Sequence, residues 1–176
     1  MEYKLGNTII SLAEGDITQE ETDAIANAAN NALQGGGGVD GAIHRAAGPE
    51  LLEACRKIGN CPTGQAVITE GFKLKSRYVI HTVGPIYSGS ADDPKLLASC
   101  YKESLQLALD HNLRSVAFPS ISTGVYGYPL QEAAPIALNS IYGFVQKHPD
   151  ALDMVRMTLF DQRTLMAYQN AAEKIF

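Results

Sequence analysis

Two asparagines, an aspartate and a histidine stand around a run of glycines near the start of this 176-residue chain. Asn27 and Asn30 precede the run Gly35 to Gly38, Asp40 follows just after it, and His44 lies one helical turn beyond Asp40. Consecutive glycines have no packing value, because each lacks a side chain and loses more backbone entropy on ordering than any other residue. They suit a backbone that must come very close to something. From Val39 to Ala47 the sequence then reads as a short helix, with Val39, Ile43 and Ala46 or Ala47 on one face. A glycine loop opening a helix points free N–H groups and the positive end of the helix dipole at one spot, which makes a site for an anion, phosphate above all. The segment therefore reads as a phosphate cradle with reactive groups at its rim.

The elements that must position this cradle are short and alternate in type. Tyr3 to Leu5, a Gly6-Asn7 turn and Thr8 to Leu12 predict two strands in a hairpin. Glu14 to Thr18 leaves the second strand and turns, and an aspartate such as Asp16 in a turn ordinarily caps its own backbone. Asp23 to Ala29 is short, apolar and built of small residues, as a buried central strand is. Strand, glycine loop and helix in that order put the cradle at the carboxyl edge of a sheet, where open α/β sheets bind ligands. Pro49 to Ile58, closed by Gly59, predicts an amphipathic helix. Gln65 to Thr69 and Arg77 to Val83 predict strands, with His81 read as a hydrogen-bonded core histidine among apolar neighbours. Asp93 to Asn112 predicts a long helix whose inner stripe runs through Leu96, Leu97, Cys100, Tyr101, Ser104, Leu105, Ala108 and Leu109.

A second informative loop, Ser120 to Pro129, follows the predicted strand Ser115 to Pro119 and precedes a helix from Leu130 to about Lys147. Its hydroxyls and glycines repeat the logic of the first loop, so the two together could hold both phosphates of one diphosphate. Met154 to Phe160 predicts a last strand and Gln162 to Lys174 a last helix. No repeat, charge block or linker interrupts the pattern, which predicts one domain over residues 1–176 and an α/β fold, a three-layer α/β/α sandwich.

Composition bounds the function. With 45% hydrophobic residues the chain is long enough to build its own core. A net charge of −5 argues against general nucleic-acid binding, which needs many Lys and Arg contacts. Three cysteines without a CxxC pair suggest neither a disulfide framework nor a zinc site, and no metal or cofactor is expected. No basic leader precedes an apolar run and no stretch is long enough to span a bilayer, so a soluble, cytoplasmic protein without membrane partners is expected, by default a monomer.

Among phosphate binders, GxxxxGK[ST] is absent, and the glycine run lacks the GxGxxG order of a dinucleotide fold. The motifs that are present do form a recognisable set. GDIT at Gly15 to Thr18, NAAN at Asn27 to Asn30, GGGGVDGAIHRAAGP at Gly35 to Pro49, HTVGP at His81 to Pro85 and PSISTGVYGYP at Pro119 to Pro129 resemble the macrodomain family, and within it the MacroD-type branch. The resemblance implies a mixed central sheet and a cleft along its crest that binds ADP-ribose.

Carried onto this chain, the resemblance gives Asp16 the adenine amino group, with the Ile17 backbone beside it. Gly36, Gly37, Gly38 and Val39, with Ser122, Thr123, Gly124, Val125 and Tyr126, would enclose the diphosphate and the distal ribose, Tyr126 packing on that ribose. Asn27 joins this substrate-binding set, and Phe160 is expected to line the adenine end. There Phe160 to Arg163 departs from the family in carrying fewer acidic residues. Asn30, Asp40 and His44 match the positions that surround the reacting ribose carbon and are the catalytic candidates.

Asp40 beside a sugar ester could orient or deprotonate water, while Asn30 could fix the ribose hydroxyls. A carboxylate next to a diphosphate is electrostatically awkward, however, and a substrate phosphate could activate the water with Asp40 positioning groups. Plainer readings are that Asp40 caps the helix and that His44, at i+4, ties its first turn. The resemblance implies a hydrolase that removes ADP-ribose from acidic side chains of mono-ADP-ribosylated proteins and deacetylates O-acetyl-ADP-ribose. The alternatives are a reader module that binds ADP-ribose without turnover and a phosphatase of ADP-ribose 1″-phosphate.

Overall fold

In the computed structural model, which describes residues 1–176, seven strands form one sheet in the order β1-β2-β7-β6-β3-β5-β4. They are β1 (Glu2–Leu5), β2 (Thr8–Glu14), β3 (Ala24–Ala28), β4 (Ala66–Glu70), β5 (Tyr78–Thr82), β6 (Ser115–Phe118) and β7 (Met154–Leu159). The five inner strands are parallel, and each edge strand, β1 and β4, pairs antiparallel with its neighbour, so the sheet is mixed as expected. Helices α1 (Gly38–Ala47) and α2 (Pro49–Ile58) cover one face, and α3 (Asp92–Asp110), α4 (Leu130–Lys147) and α5 (Gln162–Ile175) the other, giving three layers.

Strand alternation sorts the side chains between the two faces. On β3, Ala24 and Ala26 enter the core under α3 to α5, whereas Ile25 faces α1 and α2; on β5, Ile80 and Val79 divide in the same way. The α3 to α5 side holds a cluster of 29 buried residues, the α1 and α2 side a cluster of 13. Small residues in the centre of the sheet let helices approach it closely, which is why β3 reads as alanine-rich.

Most elements shift by one or two residues at their ends, and two of these boundaries matter for the chain's course. α3 ends at Asp110 rather than Asn112, because Asn112 takes a left-handed conformation (φ 58°) and Leu113 N–H returns to the Ala108 carbonyl. β7 ends at Leu159, and Phe160 leaves the sheet 74% exposed. The parallel strands all point their carboxyl ends to one edge, so the turn after β2, the glycine loop after β3, Gly84-Pro85 after β5, Ser120 to Pro129 after β6 and Phe160 after β7 gather along a single crest.

Candidate active site along the sheet crest

The glycine loop is shaped by Asn30. Its Nδ2 donates to the Gly35 carbonyl at 2.8 Å, and Gln34 N–H donates back to its Oδ1 at 3.4 Å, closing the turn that leads from β3 into the glycines. Gly35 (φ 79°) and Gly38 (φ 56°) then take left-handed conformations that a side chain would strain. A Cβ at Gly37 or Gly38 would meet no protein atom within 4 Å, so this stretch of backbone is bare on its outer side. Gly41, on the first turn of α1, serves the opposite need: a Cβ there would collide with the Gly36 carbonyl, so the helix can lie against its own loop only because Gly41 lacks one.

Gly37 is the N-cap of α1, with no side-chain cap bond. Asp40 sits in the first turn and is not the cap, so the capping reading of this residue is set aside. The residue is 6% exposed. Oδ1 accepts from Asn27 Nδ2 at 2.8 Å and lies 3.4 Å from His44 Nε2, while Oδ2 faces the loop, 3.4 Å from where a Cβ on Gly36 would stand. The same Gly36 position is 3.7 Å from Asn30 Nδ2, and the Gly35 position is 3.6 Å from the His44 ring. Asn30, Asp40 and His44 therefore converge on Gly35 and Gly36. A carboxylate held by hydrogen bonds on one oxygen and open on the other can direct a water molecule, and the bare N–H groups at the start of α1 beside it favour an anion.

Asn27, counted from the sequence in the substrate-binding set, lies below the surface of the crest. It is fully buried, beneath Asp40. Parallel register pairs it with His81 on β5, and its Nδ2 lies 3.1 Å from His81 Nδ1. His81 Nε2 in turn is 2.9 Å from Thr69 Oγ1 on β4 and 3.8 Å from Cys55 Sγ on α2. Burial, with His44 nearby, lowers the His81 pKa from 6.5 to about 3, so the ring is neutral. Burial, with Asp40 nearby, pushes the Cys55 thiol up to about 11. His81 is thus the buried, hydrogen-bonded histidine that the sequence predicts. Its connection to Asp40 was missed, although two polar residues on one face of adjacent buried strands, Asn27 and His81, were the available signal.

The second loop is braced on the body of the protein. Ser122, in a left-handed conformation (φ 67°), donates its hydroxyl to the Pro85 carbonyl at 2.8 Å, and a Cβ on Gly84 would collide with it. Thr123 Oγ1 donates to Ser120, Ile121 N–H donates to Tyr101 Oη, and Tyr87 N–H donates to the Tyr126 carbonyl. The hydroxyls of Ser122 and Thr123 are spent on this bracing, which leaves the loop backbone to meet a ligand. Gly124 is open, Val125 is fully exposed and Tyr126 half-buried.

At the other end of the crest, Asp16 caps a short 3₁₀ turn, Ile17–Gln19, its Oδ1 accepting from Thr18 N–H at 2.9 Å and Thr18 Oγ1 at 2.7 Å. The capping role is therefore real, and the residue remains exposed. Glu20 fastens this turn to the sheet through Arg156 Nη1 at 2.8 Å and Thr158 Oγ1 at 3.1 Å. Gly15 N–H pairs with the Leu159 carbonyl, which brings exposed Phe160 beside Asp16, while Asp161 caps α5 by accepting from Thr164 N–H.

Comparison with known proteins agrees with this fold. The family model described as "Macro domain" matches residues 26–137. A macro domain-containing protein of Chlorobaculum tepidum is 52% identical over 94% of this chain and 96% of its own length. The ADP-ribose glycohydrolase MACROD1 of Rattus norvegicus is 51% identical over 97% of this chain and 67% of its own. Among solved structures, a variant of the Oceanobacillus iheyensis macrodomain with ADPR superposes with a TM-score of 0.95 at 47% identity, covering 99% of this chain and 97% of that one.

Proposed function

The chain belongs to the macrodomain family, and from that premise we propose that it is a hydrolase that binds ADP-ribose along the crest and cleaves esters at the distal ribose. Its substrates on this reading are proteins mono-ADP-ribosylated on Asp or Glu, together with O-acetyl-ADP-ribose, met by a monomer in the cytoplasm. Both ester types place an acyl group on the same sugar, so one water-directing site serves both. Relatives at about half identity bear the name ADP-ribose glycohydrolase, which supports the hydrolase class.

The observation that carries the proposal is Asp40 Oδ2, turned toward the bare glycine backbone while Oδ1 is held by Asn27. In the proposed mechanism Gly36 to Val39 and Gly124 to Tyr126 hold the diphosphate with backbone N–H groups. Asn30 and Tyr126 orient the distal ribose, and Asp40 directs water onto the ester carbonyl. The carboxylic acid then leaves and the sugar keeps its hydroxyl. His44, against Asp40 Oδ1, restrains the carboxylate.

Incubation of the protein with a glutamate-modified ADP-ribosylated protein, O-acetyl-ADP-ribose and ADP-ribose 1″-phosphate, under single-turnover conditions, tests this. Release of ADP-ribose from the first two and no phosphate from the third is expected. Tight ADP-ribose binding with no release from any would replace the hydrolase by a reader module.

A further inference from the structure

The chain of polar groups below Asp40 has a direction that its end groups dictate. One amide nitrogen, Asn27 Nδ2, stands 2.8 Å from Asp40 Oδ1 and 3.1 Å from His81 Nδ1. An ionised carboxylate only accepts, so the amide must turn nitrogen, not oxygen, toward it. The second amide hydrogen then points at His81 Nδ1, which must offer its lone pair. The imidazole proton is left on Nε2, where Thr69 Oγ1 accepts it at 2.9 Å and Thr69 passes its own hydrogen to the Glu70 carbonyl at 3.1 Å.

The opposite arrangement has one attraction. Asn27 Oδ1 is buried with no hydrogen-bond partner, and turning the amide over would give it the imidazole N–H. That turn would also set an oxygen against Asp40 Oδ1 at contact distance. The fold tolerates an unsatisfied buried acceptor to keep nitrogen on the carboxylate, an expense typical of functional sites.

We propose that His81 is a positioning residue for Asp40: as the neutral Nε2–H imidazole it fixes the orientation of the Asn27 amide, and the amide aims the Asp40 carboxylate at the glycine loop. A protonated ring, or a proton on Nδ1, would face the amide with a second donor and drive it over. The surroundings guard against both. Burial keeps the ring neutral, and on the far side Thr69 anchors the Nε2 proton while Cys55 stays a thiol. The inference rests on the reading of Asp40 as the group that directs water.

Long-range ¹H–¹⁵N correlation spectra of the histidine side chains in the 176-residue chain read the tautomer directly. His81 is expected to show a protonated Nε2 and an unprotonated Nδ1, unchanged between about pH 5 and pH 8. A protonated Nδ1 at any pH in that range overturns the proposal. Kinetics supply the functional arm. His81→Leu, which has no acceptor, should slow single-turnover ester cleavage by about 10- to 100-fold with ADP-ribose affinity kept within about threefold, the signature of misplacement and not of lost binding. His81→Asn, which offers an acceptor oxygen near the Nδ1 position, should recover most of the rate.

Equal losses in both variants, or affinity falling in step with rate, would reduce His81 to a structural residue. Should the Leu variant not fold, Thr69→Val replaces it: without an oxygen beside Nε2 the proton moves to Nδ1 and cleavage slows, and an unchanged rate with a moved proton sinks the idea. A wild type that cleaves no ester ends the hydrolase reading, while a working hydrolase with the reversed tautomer ends this inference alone.

Discussion

The two faces of the sheet are made by the same alternating strands but differ in kind. Under α3, α4 and α5 lie 29 buried hydrophobic residues in one cluster, led by Tyr101, Phe118, Leu105 and Tyr168. Under α1 and α2 the cluster has 13, and the strands beside it carry Thr69, His81 and Asn27, hydrogen-bonded in that order and, through Asn27, to Asp40 of α1. Apolar burial is non-directional: it stabilises whatever excludes water and does not care which way a group points. Hydrogen bonds do care. One face therefore supplies stability, and the other gives up part of that stability to hold a carboxylate in one orientation.

Cavity formation on the apolar face should give the largest effect on stability. Leu105→Ala, at a fully buried position, should lower the unfolding free energy in urea by about 3 to 5 kcal/mol. The molecules that remain folded should bind ADP-ribose as before, since none of the hydrogen bonds that brace the crest loops involves Leu105; a matching loss of affinity would break the division between faces.

The polar face should reveal itself in acid. His81 is held neutral to about pH 3, against 6.5 for a free histidine, so between those values the unfolded chain binds a proton that the folded one does not. Stability conferred by the neutral ring is then complete above about pH 6.5 and falls as pH drops toward 3, by up to roughly 1.4 kcal/mol per pH unit. The groups facing the ring are Asp40 through Asn27, His44 and Cys55. Urea unfolding across this window should show the slope in wild type and lose most of it in His81→Asn. An identical slope in both would place the acid sensitivity elsewhere.

Smaller effects sharpen the contrast within the crest itself. Ser122→Ala removes the brace to the Pro85 carbonyl and should cost about 1 kcal/mol in unfolding, with ADP-ribose binding weakened as the loop loosens. Val125→Ala, at a fully exposed side chain, should change stability by less than about 0.5 kcal/mol. Calorimetric titration of that variant with ADP-ribose would show whether the side chain packs on the ligand.

Much of this organisation is legible in the residues. The glycine run between an alanine-rich strand and a helix gives a crest site, and Pro49 with Gly59 brackets α2 at its observed ends. Hydroxyl and glycine residues after β6 give the second loop. What does not show is the division of labour inside that loop, because a serine that binds a ligand and one that braces a neighbouring turn have the same letter; Ser122 is committed to Pro85 only by a long-range contact. Asn27 misleads for a related reason. Its place three residues before Asn30 puts both next to the glycine run, yet strand alternation ends at Ala28, so Asn27 points into the layer below while Asn30 turns with the loop.

Asp40→Ala gives the most direct measurement of the central claim, that a carboxylate aimed at the glycine loop performs the chemistry. Single-turnover release of ADP-ribose from a glutamate-modified protein would be compared with wild type, with ADP-ribose affinity determined on the same preparations. A rate at least ~10²-fold lower with affinity within several-fold of wild type is the predicted result. Release at the wild-type rate, or a slowing fully accounted for by weaker binding, would contradict it.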